Sequence, residues 1–128
     1  MSDLTILVTG GAGFIGVHLC EYLLRKNNQV VCVDNLLSGR IKNICHLQKL
    51  FPTQFTFING DVIDLTVETF REDLQFDQIY HLACAASPKW YQANPVHTLR
   101  TCFEGTRNVL ELARLHKARF LITSTSEV

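Results

Sequence analysis

The sequence lacks several features that would point to particular classes of protein. No apolar run approaches the roughly 18 residues of a membrane-spanning helix, and no basic segment with a cleavage site follows Met1. Basic and acidic residues balance at 12 each, without the cluster of Lys and Arg that marks a nucleic-acid or membrane surface. Internal repeats and low-complexity linkers are absent as well. We therefore expect a cytoplasmic protein that binds neither nucleic acid nor membranes.

The cysteines argue against a disulfide framework and against a metal site. There are five, an odd number, and no two of them have the C-x-x-C spacing. Cys20 and Cys32 fall on faces that the apolar pattern predicts to be buried, where a free thiol behaves as a small apolar side chain. We therefore expect reduced cysteines and no bound metal.

A glycine-rich segment follows the first apolar run of the chain. Gly10, Gly13 and Gly16 are spaced three apart, where the chain leaves a buried strand, turns and begins a helix. A side chain at Gly10 would obstruct the turn, and one at Gly16 would hold helix and strand apart. A side chain at Gly13 would occupy the space in which a pyrophosphate approaches the helix N-terminus. The spacing is typical of dinucleotide binding, although a glycine triplet alone also fits an ordinary turn.

An acidic residue strengthens the dinucleotide interpretation. The apolar run 30–33 predicts a second buried strand, and Asp34 ends it about twenty residues after the glycines. A carboxylate in this place can accept both hydroxyl groups of an adenosine ribose. Strand, glycine loop, helix, strand and acid together predict a dinucleotide site.

Strands and helices alternate along the chain. The predicted strands cover residues 5–9, 30–34, 55–58, 78–82 and 119–124, and the predicted helices cover 13–26, 41–50, 67–74 (the weakest) and 95–116. Short right-handed connections between parallel strands favour the order 3-2-1-4-5, with a crevice between strands one and four. The sequence thus predicts an α/β Rossmann fold, a doubly wound parallel sheet truncated after strand five, as one dinucleotide-binding domain over residues 1–128.

The first predicted helix carries an apolar face at Ile15, Leu19, Tyr22 and Leu23, which we expect to pack on the sheet. The same helix holds the only Tyr-x-x-x-Lys spacing in the sequence, Tyr22 to Lys26. Because the pattern directs Tyr22 toward the sheet, we expect no catalytic role for it.

Several segments together resemble one known superfamily. They are TGGAGFIG at 9–16, VDN at 33–35, SGR at 38–40, YHLA at 80–83, ASP at 86–88, YQANP at 91–95 and STSEV at 124–128. In these segments the chain resembles the extended short-chain dehydrogenases/reductases, also called NAD-dependent epimerases/dehydratases. Within that superfamily it looks most like the UDP-glucuronate decarboxylases, also called UDP-xylose synthases. The resemblance is weakest between residues 42 and 76.

The resemblance implies NAD as the cofactor and a set of positions that bind it. The loop would hold the pyrophosphate, the end of strand two the ribose, the end of strand three the adenine, and the end of strand four the path toward the nicotinamide. The implied cofactor-binding residues are Gly10, Gly13, Phe14, Ile15, Gly16, Asp34, Asn35, Leu36, Ser38, Gly39, Asp61, Val62, Leu82, Ala83, Cys84, Thr101 and Thr123.

The resemblance also implies a reaction on a UDP-sugar. NAD would oxidise C4 of UDP-glucuronate, carbon dioxide would leave from the resulting β-keto acid, and NADH would reduce the product to UDP-xylose. Arg100 and Asn108 would face the nucleotide sugar, and Thr125, Ser126 and Glu127 would surround the reacting carbons as the catalytic group. An ordinary polar strand end is the alternative for these last three. Relatives imply a homodimer, formed through the helix from about Pro95 to His116.

The sequence departs from the decarboxylase pattern in four places. The downstream Tyr-x-x-x-Lys and the C-terminal substrate-binding region are absent, so we expect these 128 residues to bind cofactor without turnover. Ala85 stands where the decarboxylases have proline, and Cys102 stands where many relatives have asparagine. The alternatives are a nucleotide-sugar 4-epimerase, a 4,6-dehydratase, which would usually carry aspartate in place of Ser126, and a non-enzymatic NAD-binding module.

Overall fold

The fold is a five-stranded parallel sheet with helices on both faces, as given by a computed structural model that describes residues 3–84 and 87–124. The strands are β1 (Thr5–Thr9), β2 (Gln29–Asp34), β3 (Phe55–Asn59), β4 (Gln78–His81) and β5 (Arg119–Ile122). The helices are α1 (Phe14–Arg25), α2 (Ile41–Leu50), α3 (Pro88–Tyr91), α4 (Pro95–Arg100) and α5 (Thr106–His116). The sheet order is β3-β2-β1-β4-β5, which confirms the predicted Rossmann topology.

The central strands are buried because helices cover both sides of the sheet. Ile6, Leu7 and Val8 of β1 have no solvent exposure. Successive side chains of a strand point to opposite faces, so Ile6 and Val8 pack in one cluster beneath α1 and α2, while Leu7 packs in a second beneath α5. A strand buried on both faces has a continuous run of apolar residues, which is why β1 and β2 lie close to where the apolar runs predicted them.

Helix α1 packs on the sheet through a face rotated from the predicted one, although Leu19 and Leu23 pack against the core as predicted. Gly16, Cys20, Leu23 and Leu24 are its buried residues, whereas the side chain of Ile15 is 66% exposed. The buried set has the predicted spacing displaced by one residue, since Gly16 lies directly against the backbone of the glycine loop. That contact fixes the rotation of the helix about its axis, and the apolar pattern alone does not report it.

Tyr22 therefore lies on the outside of α1, and the prediction that it packs against the sheet was wrong. Its side chain is 60% exposed, and the Lys26 ammonium lies 5.5 Å from its ring centroid. Tyr22 is nonetheless eight residues into the helix, about 12 Å from the carboxyl edge of the sheet where the glycine loop lies. The distance of Tyr22 from this edge, and not burial of its side chain, is therefore what argues against a catalytic role.

The segment after β3 forms two short 3₁₀ turns instead of the predicted helix over 67–74. The turns are Val62–Asp64 and Val67–Thr69, and the Asp61 carboxylate caps the first by accepting the Ile63 N–H at 3.0 Å. After the second turn, Phe70 packs edge-on against Phe76 with ring centroids 5.0 Å apart. Burial of these two rings determines the course of the chain between them. The helix that the weak apolar pattern predicted over 67–74 therefore does not form.

The long predicted helix is present, with an irregularity at its centre. Helices α4 and α5 are joined by a π-helical turn at Thr101–Gly105, and α5 ends at Lys117, which adopts a left-handed φ of 54°. Helix α3 was not predicted. In the described ranges, no helix is both long and apolar enough to cross a membrane.

Candidate functional site

The carboxyl ends of the parallel strands meet at one edge of the sheet, and a crevice opens there between β1 and β4. The Gly10 N–H donates to the Val33 carbonyl at 2.8 Å, so the chain turns away immediately after β1. On the other side, the Leu82 N–H donates to the Thr9 carbonyl at 3.0 Å. The direction of strand order reverses at β1, and open α/β sheets bind their ligands at such a point.

The glycine loop has the three structural properties that the spacing predicted. Gly10 has a left-handed φ of 75°, and a Cβ there would lie 2.7 Å from the Leu82 carbonyl oxygen. A Cβ on Gly16 would overlap the backbone of Gly10 and Gly11. A Cβ on Gly13 would meet only the Gly10 carbonyl oxygen, at 3.4 Å. Gly10 and Gly16 are thus required by close packing, whereas Gly13 borders open space at the crevice.

The N-terminus of α1 points its backbone N–H groups into this space. Gly13 is the N-cap residue, and no side chain caps the helix. The side chains of Phe14 and Ile15 are exposed and leave the first turn uncovered. Uncapped N–H groups and the helix dipole together favour a bound anion such as a pyrophosphate.

Asp34 lies at the end of β2 with its carboxylate against the loop. One oxygen accepts the Ala12 N–H at 2.9 Å, and the other accepts the Leu36 N–H at 2.7 Å. Leu36 has a left-handed φ of 63°, so the carboxylate supports a turn that is unfavourable for a leucine. Each carboxylate oxygen has a further lone pair for a ribose hydroxyl. The carboxylate therefore has a structural role that the sequence did not indicate.

The loop after β2 packs on the glycine loop. The Arg40 N–H and the Asn43 amide both donate to the Ala12 carbonyl, at 3.2 and 3.1 Å. Gly39 lies so close that a Cβ there would be 2.8 Å from that of Ala12. An open pocket of about 620 Å³ lies alongside, between α1 and α2. Its lining residues are Ala12, Gly13, Phe14, Val17, His18, Glu21, Ser38, Arg40, Lys42, Asn43 and His46.

Asp61 is the centre of a polar cluster at the end of β3. Its carboxylate lies 2.7 Å from the His97 ring nitrogen and accepts the Asn35 amide at 3.2 Å. Burial alone would raise the pKa of Asp61, but hydrogen bonds from His97, the Ile63 N–H and Asn35 outweigh it and lower that pKa. The cluster therefore keeps Asp61 ionised. No motif or spacing indicated a role for His97, which reaches Asp61 from helix α4.

The end of β4 brings Ala83 and Cys84 to the crevice. The Cys84 sulfur lies 3.2 Å from the sulfur of Cys102, in the π-helical turn. Burial and this contact raise the pKa of the Cys84 thiol to about 11. Thr101 is buried and donates its hydroxyl to the His97 carbonyl at 2.8 Å, while the Thr123 N–H donates to the His81 carbonyl at 3.2 Å.

His81 connects three elements beneath the crevice. Its two ring nitrogens lie 2.7 Å from the Thr9 hydroxyl and 3.1 Å from the Thr106 hydroxyl. The residue is 3% exposed, and this burial lowers the pKa of its imidazole to about 4. His81 is therefore neutral near pH 7 and joins β1, β4 and α5 through hydrogen bonds.

The two residues predicted to face a nucleotide sugar have partners within the chain. Arg100 forms an ion pair with Glu104 at 3.0 Å, and Asn108 donates to the Val62 and Ile63 carbonyls at 3.0 and 2.7 Å. Asn108 thus holds the first 3₁₀ turn against the long helix. Val62 itself is buried beneath that helix. Roles of these residues toward a substrate remain predictions.

Four predicted positions lie outside the described residues. They are Ala85 and the proposed catalytic group of Thr125, Ser126 and Glu127. The assignment of the remaining cofactor positions to NAD is also a prediction, although the loop, Asp34, Asp61 and the end of β4 all border the same edge of the sheet.

Comparison with known proteins identifies the family. A family model described as GDP-mannose 4,6 dehydratase matches residues 7–128. UDP-glucuronic acid decarboxylase 1 of Arabidopsis thaliana is 47% identical over 125 residues, which are 98% of this chain and 27% of that protein. The chain spans about a quarter to a third of the length of the curated relatives it matches.

Solved structures show the same fold. UDP-glucose 4-epimerase of Thermotoga maritima, crystallised with UDP-glucose, matches with a TM-score of 0.81 at 30% identity, covering 95% of this chain and 38% of that one. The UDP-glucose 4-epimerase of Stenotrophomonas maltophila, with bound NAD and formylated UDP-arabinopyranose, matches with a TM-score of 0.82 at 25% identity, covering 98% and 38%. The chain belongs to the GDP-mannose 4,6 dehydratase family of extended short-chain dehydrogenases/reductases.

Proposed function

We propose that this chain is the NAD-binding part of a nucleotide-sugar-modifying enzyme, a UDP-glucuronate decarboxylase. The observation that carries the cofactor proposal is the open space at Gly13, between the uncapped N-terminus of α1 and the Asp34 carboxylate. The identity of 47% to a decarboxylase supports the choice of substrate. Among the alternatives, the 4-epimerase has independent support, because the two solved structures compared above are epimerases.

The residues of the site fit NAD in its shape and charge. The N–H groups of the first turn of α1 hold the pyrophosphate, and Asp34 accepts the ribose hydroxyls with its remaining lone pairs. Ala83, at the crevice between β1 and β4, would border the nicotinamide. Bound NAD would supply reversible hydride transfer at C4 of the sugar. The chain's own residues would position the cofactor.

A chimera tests the decarboxylase proposal directly. We would replace the matching 125 residues of the Arabidopsis decarboxylase with this chain and supply UDP-glucuronate. The expected result is NAD-dependent release of carbon dioxide with UDP-xylose as product. A folded chimera that binds NAD and gives only an epimerised sugar would support the epimerase instead. A folded chimera that binds NAD and converts neither UDP-glucuronate nor UDP-glucose would support the non-enzymatic module.

The 128 residues by themselves should bind NAD without releasing carbon dioxide. Their only Tyr-x-x-x-Lys pair, Tyr22 and Lys26, lies along α1 away from the crevice. Calorimetry measures the first property and an assay of carbon dioxide the second. Release of carbon dioxide at a rate near that of the chimera would show that the catalytic base lies within this chain.

The cofactor preference should be NAD over NADP, and it should depend on Asp34. A 2′-phosphate placed against the Asp34 carboxylate would be repelled, although Arg40 lines the neighbouring pocket and favours an anion. Loss of a charged hydrogen bond corresponds to about 1.5–3 kcal/mol, so Asp34→Asn should weaken NAD binding roughly ten-fold to a hundred-fold. The preference for NAD should shrink as well.

Calorimetric titration of both cofactors measures this preference. Asp73→Asn is the matched control, because Asp73 is exposed and pairs only with Arg71 among the contacts described. It should bind both cofactors as the wild type does. Equal affinity of the wild type for NAD and NADP would contradict the proposed role of Asp34.

We also propose that the chain self-associates through the long helix. Phe103 and Leu110, which are 70% and 47% exposed, line one shallow pocket on that helix, and Leu99, about one turn before Phe103, is 70% exposed. A contiguous apolar surface of several hundred square ångströms, on the order of 300–600 Å², often marks an interaction site. Phe103→Ser should therefore shift the chain from dimer to monomer in light scattering.

Leu115→Ser is the control for self-association. Leu115 is 49% exposed on the same helix, but at 100° per residue it lies about 140° around α5 from Leu110. It should leave the measured mass unchanged. A wild-type chain that stays monomeric at high concentration would refute the proposal.

A further inference from the structure

Two thiols from separate elements meet at the mouth of the crevice. Cys84 follows β4, and Cys102 is the second residue of the π-helical turn, 18 positions later. Their sulfur atoms are 3.2 Å apart, and both residues are exposed. The chain between them passes through α3 and α4, so the contact joins the end of the sheet to the long helix.

The other three cysteines differ in accessibility. Cys20 and Cys32 are fully buried beneath the glycine loop, where an oxidant in solution does not reach them. Cys45 is exposed, but it lies on α2, which packs on the opposite face of the sheet from α5. Cys84 and Cys102 therefore combine exposure with a neighbouring thiol.

We propose that Cys84 and Cys102 are a redox-modification site, a dithiol that a peroxide closes into a disulfide linking the end of β4 to the π-helical turn. The sulfurs need to approach by only about 1.2 Å to reach bonding distance. An intramolecular partner acts at an effective concentration on the order of millimolar, about a thousand times that of a micromolar chain. The internal bond therefore forms ahead of bonds between chains.

The reaction balances with peroxide as the named oxidant. Burial and the neighbouring sulfur raise the pKa of the Cys84 thiol to about 11, so we assign the first attack on the peroxide to the Cys102 sulfur, whose proton passes to the departing hydroxide. The peroxide O–O bond breaks, Cys102 becomes a sulfenic acid, and hydroxide leaves and is protonated to water. The Cys84 sulfur then attacks the Cys102 sulfur, and the displaced hydroxide departs with the Cys84 proton as a second water. Peroxide takes two electrons from the two thiols.

The disulfide should alter cofactor binding. It draws Cys84 toward the long helix and fixes the backbone beside Ala83, on the path proposed for the nicotinamide. We expect the oxidised chain to bind NAD several-fold more weakly than the reduced chain, and reduction by a dithiol to restore the affinity. This consequence rests on the proposed cofactor site, whereas formation of the disulfide does not.

Peptide mapping after peroxide treatment tests the proposal. The native 128-residue chain at micromolar concentration is treated with hydrogen peroxide, alkylated and digested with trypsin. Cleavage after Arg71, Lys89, Arg100 and Arg107 places the two cysteines in peptides 72–89 and 101–107. The expected product is these two peptides joined, with the loss of two hydrogen atoms, from a chain that has the mass of a single chain when denatured without reductant.

Variants identify which sulfur atoms react. Cys102→Asn should abolish the cross-link and leave Cys84 open to alkylation, whereas Cys45→Ser, the matched exposed control, should leave the cross-link intact. Alkylatable Cys84 and Cys102 under conditions that oxidise Cys45 would overturn the proposal, as would a cross-link found only between two chains. If the reduced chain fails to bind NAD, the proposed function is wrong while the peptide map still decides the disulfide.

Discussion

Replacing Gly13 by alanine should abolish NAD binding while leaving the stability of the fold nearly unchanged. Gly13 has ordinary extended dihedral angles, φ −76° and ψ 179°, so alanine fits the backbone. Its Cβ would meet only the Gly10 carbonyl oxygen, at the ordinary contact distance of 3.4 Å. The same Cβ would stand where a pyrophosphate approaches the helix. Two lost charged hydrogen bonds, at about 1.5–3 kcal/mol each, would weaken binding by at least roughly a hundred-fold.

Gly16→Ala should reduce both the stability of the fold and NAD binding. The added Cβ would overlap the backbone of Gly10 and Gly11, and neither is the flexible end of a side chain. Overpacking of a well-packed site costs about 1–3 kcal/mol. Because α1 also has to move away from the loop, NAD binding should be lost together with stability. The pair of variants thus separates a glycine needed for the ligand from a glycine needed for the fold.

Urea unfolding and calorimetric titration measure the two properties independently. Gly60→Ala is the control within the same edge of the sheet, because a Cβ there would lie 3.8 Å or more from its neighbours. It should change neither property appreciably. If Gly13→Ala binds NAD as the wild type does, the pyrophosphate does not lie at this loop, and the cofactor proposal is wrong in its central contact.

The sheet could be predicted from the sequence because its signals are local. Buried parallel strands produce continuous apolar runs, and the order 3-2-1-4-5 follows from the handedness of the connections. The start of α1 was also predictable, since Gly10, Gly13 and Gly16 mark the turn by their spacing. These features depend on residues that are neighbours along the chain.

The features that escaped prediction depend on contacts between distant residues. The orientation of α1 is set by Gly16 against the loop backbone, so a pattern of apolar residues placed Ile15 and Tyr22 on the wrong face. The turns after β3 are set by Asp61 and by the packing of Phe70 on Phe76. The periodicity of apolar residues indicates that a helix has an apolar face, but it does not indicate which neighbouring element that face packs against.

In the candidate site too, positions marked along the sequence were predicted, whereas contacts between distant residues were not. Asp34 was identified by its position after a strand, but its hydrogen bonds to Ala12 and Leu36 were not. The pairing of His97 with Asp61 and of Cys102 with Cys84 crosses from the long helix to the ends of β3 and β4. No spacing in the sequence encodes these pairs. They arise because the long helix crosses the carboxyl edge of the sheet.

Acidification from pH 6.5 to 4 should destabilise the fold through His81. The pKa of its imidazole falls from 6.5 to about 4 on burial, so within this window the unfolded chain binds a proton that the folded chain does not. The free energy of unfolding therefore decreases as the pH falls. Each pH unit between the two pKa values contributes about 1.4 kcal/mol, which gives a loss of about 3 kcal/mol by pH 4.

His81→Gln should make the pH dependence shallower across that window. Glutamine does not titrate there, although it loses part of the contact with Thr9 and Thr106 and should lower stability at pH 7. The pKa of His116 is also lowered by burial and contributes in the same direction in both proteins. The quantity to compare is therefore the difference between wild type and variant, measured by urea unfolding at each pH.

His46→Gln is the control, because His46 is exposed on α2 and its one ion-pair contact within the described residues is a long one of 3.9 Å with Glu21. Its profile should follow that of the wild type. Asp61 contributes little in the window, because its pKa is lowered below the ordinary value of 3.8 and its stabilising effect is lost only at lower pH. If the wild type and His81→Gln lose stability in parallel between pH 6.5 and 4, His81 is not the buried neutral link between β1, β4 and α5. The base of the crevice would then depend on packing alone, without a contribution from this imidazole.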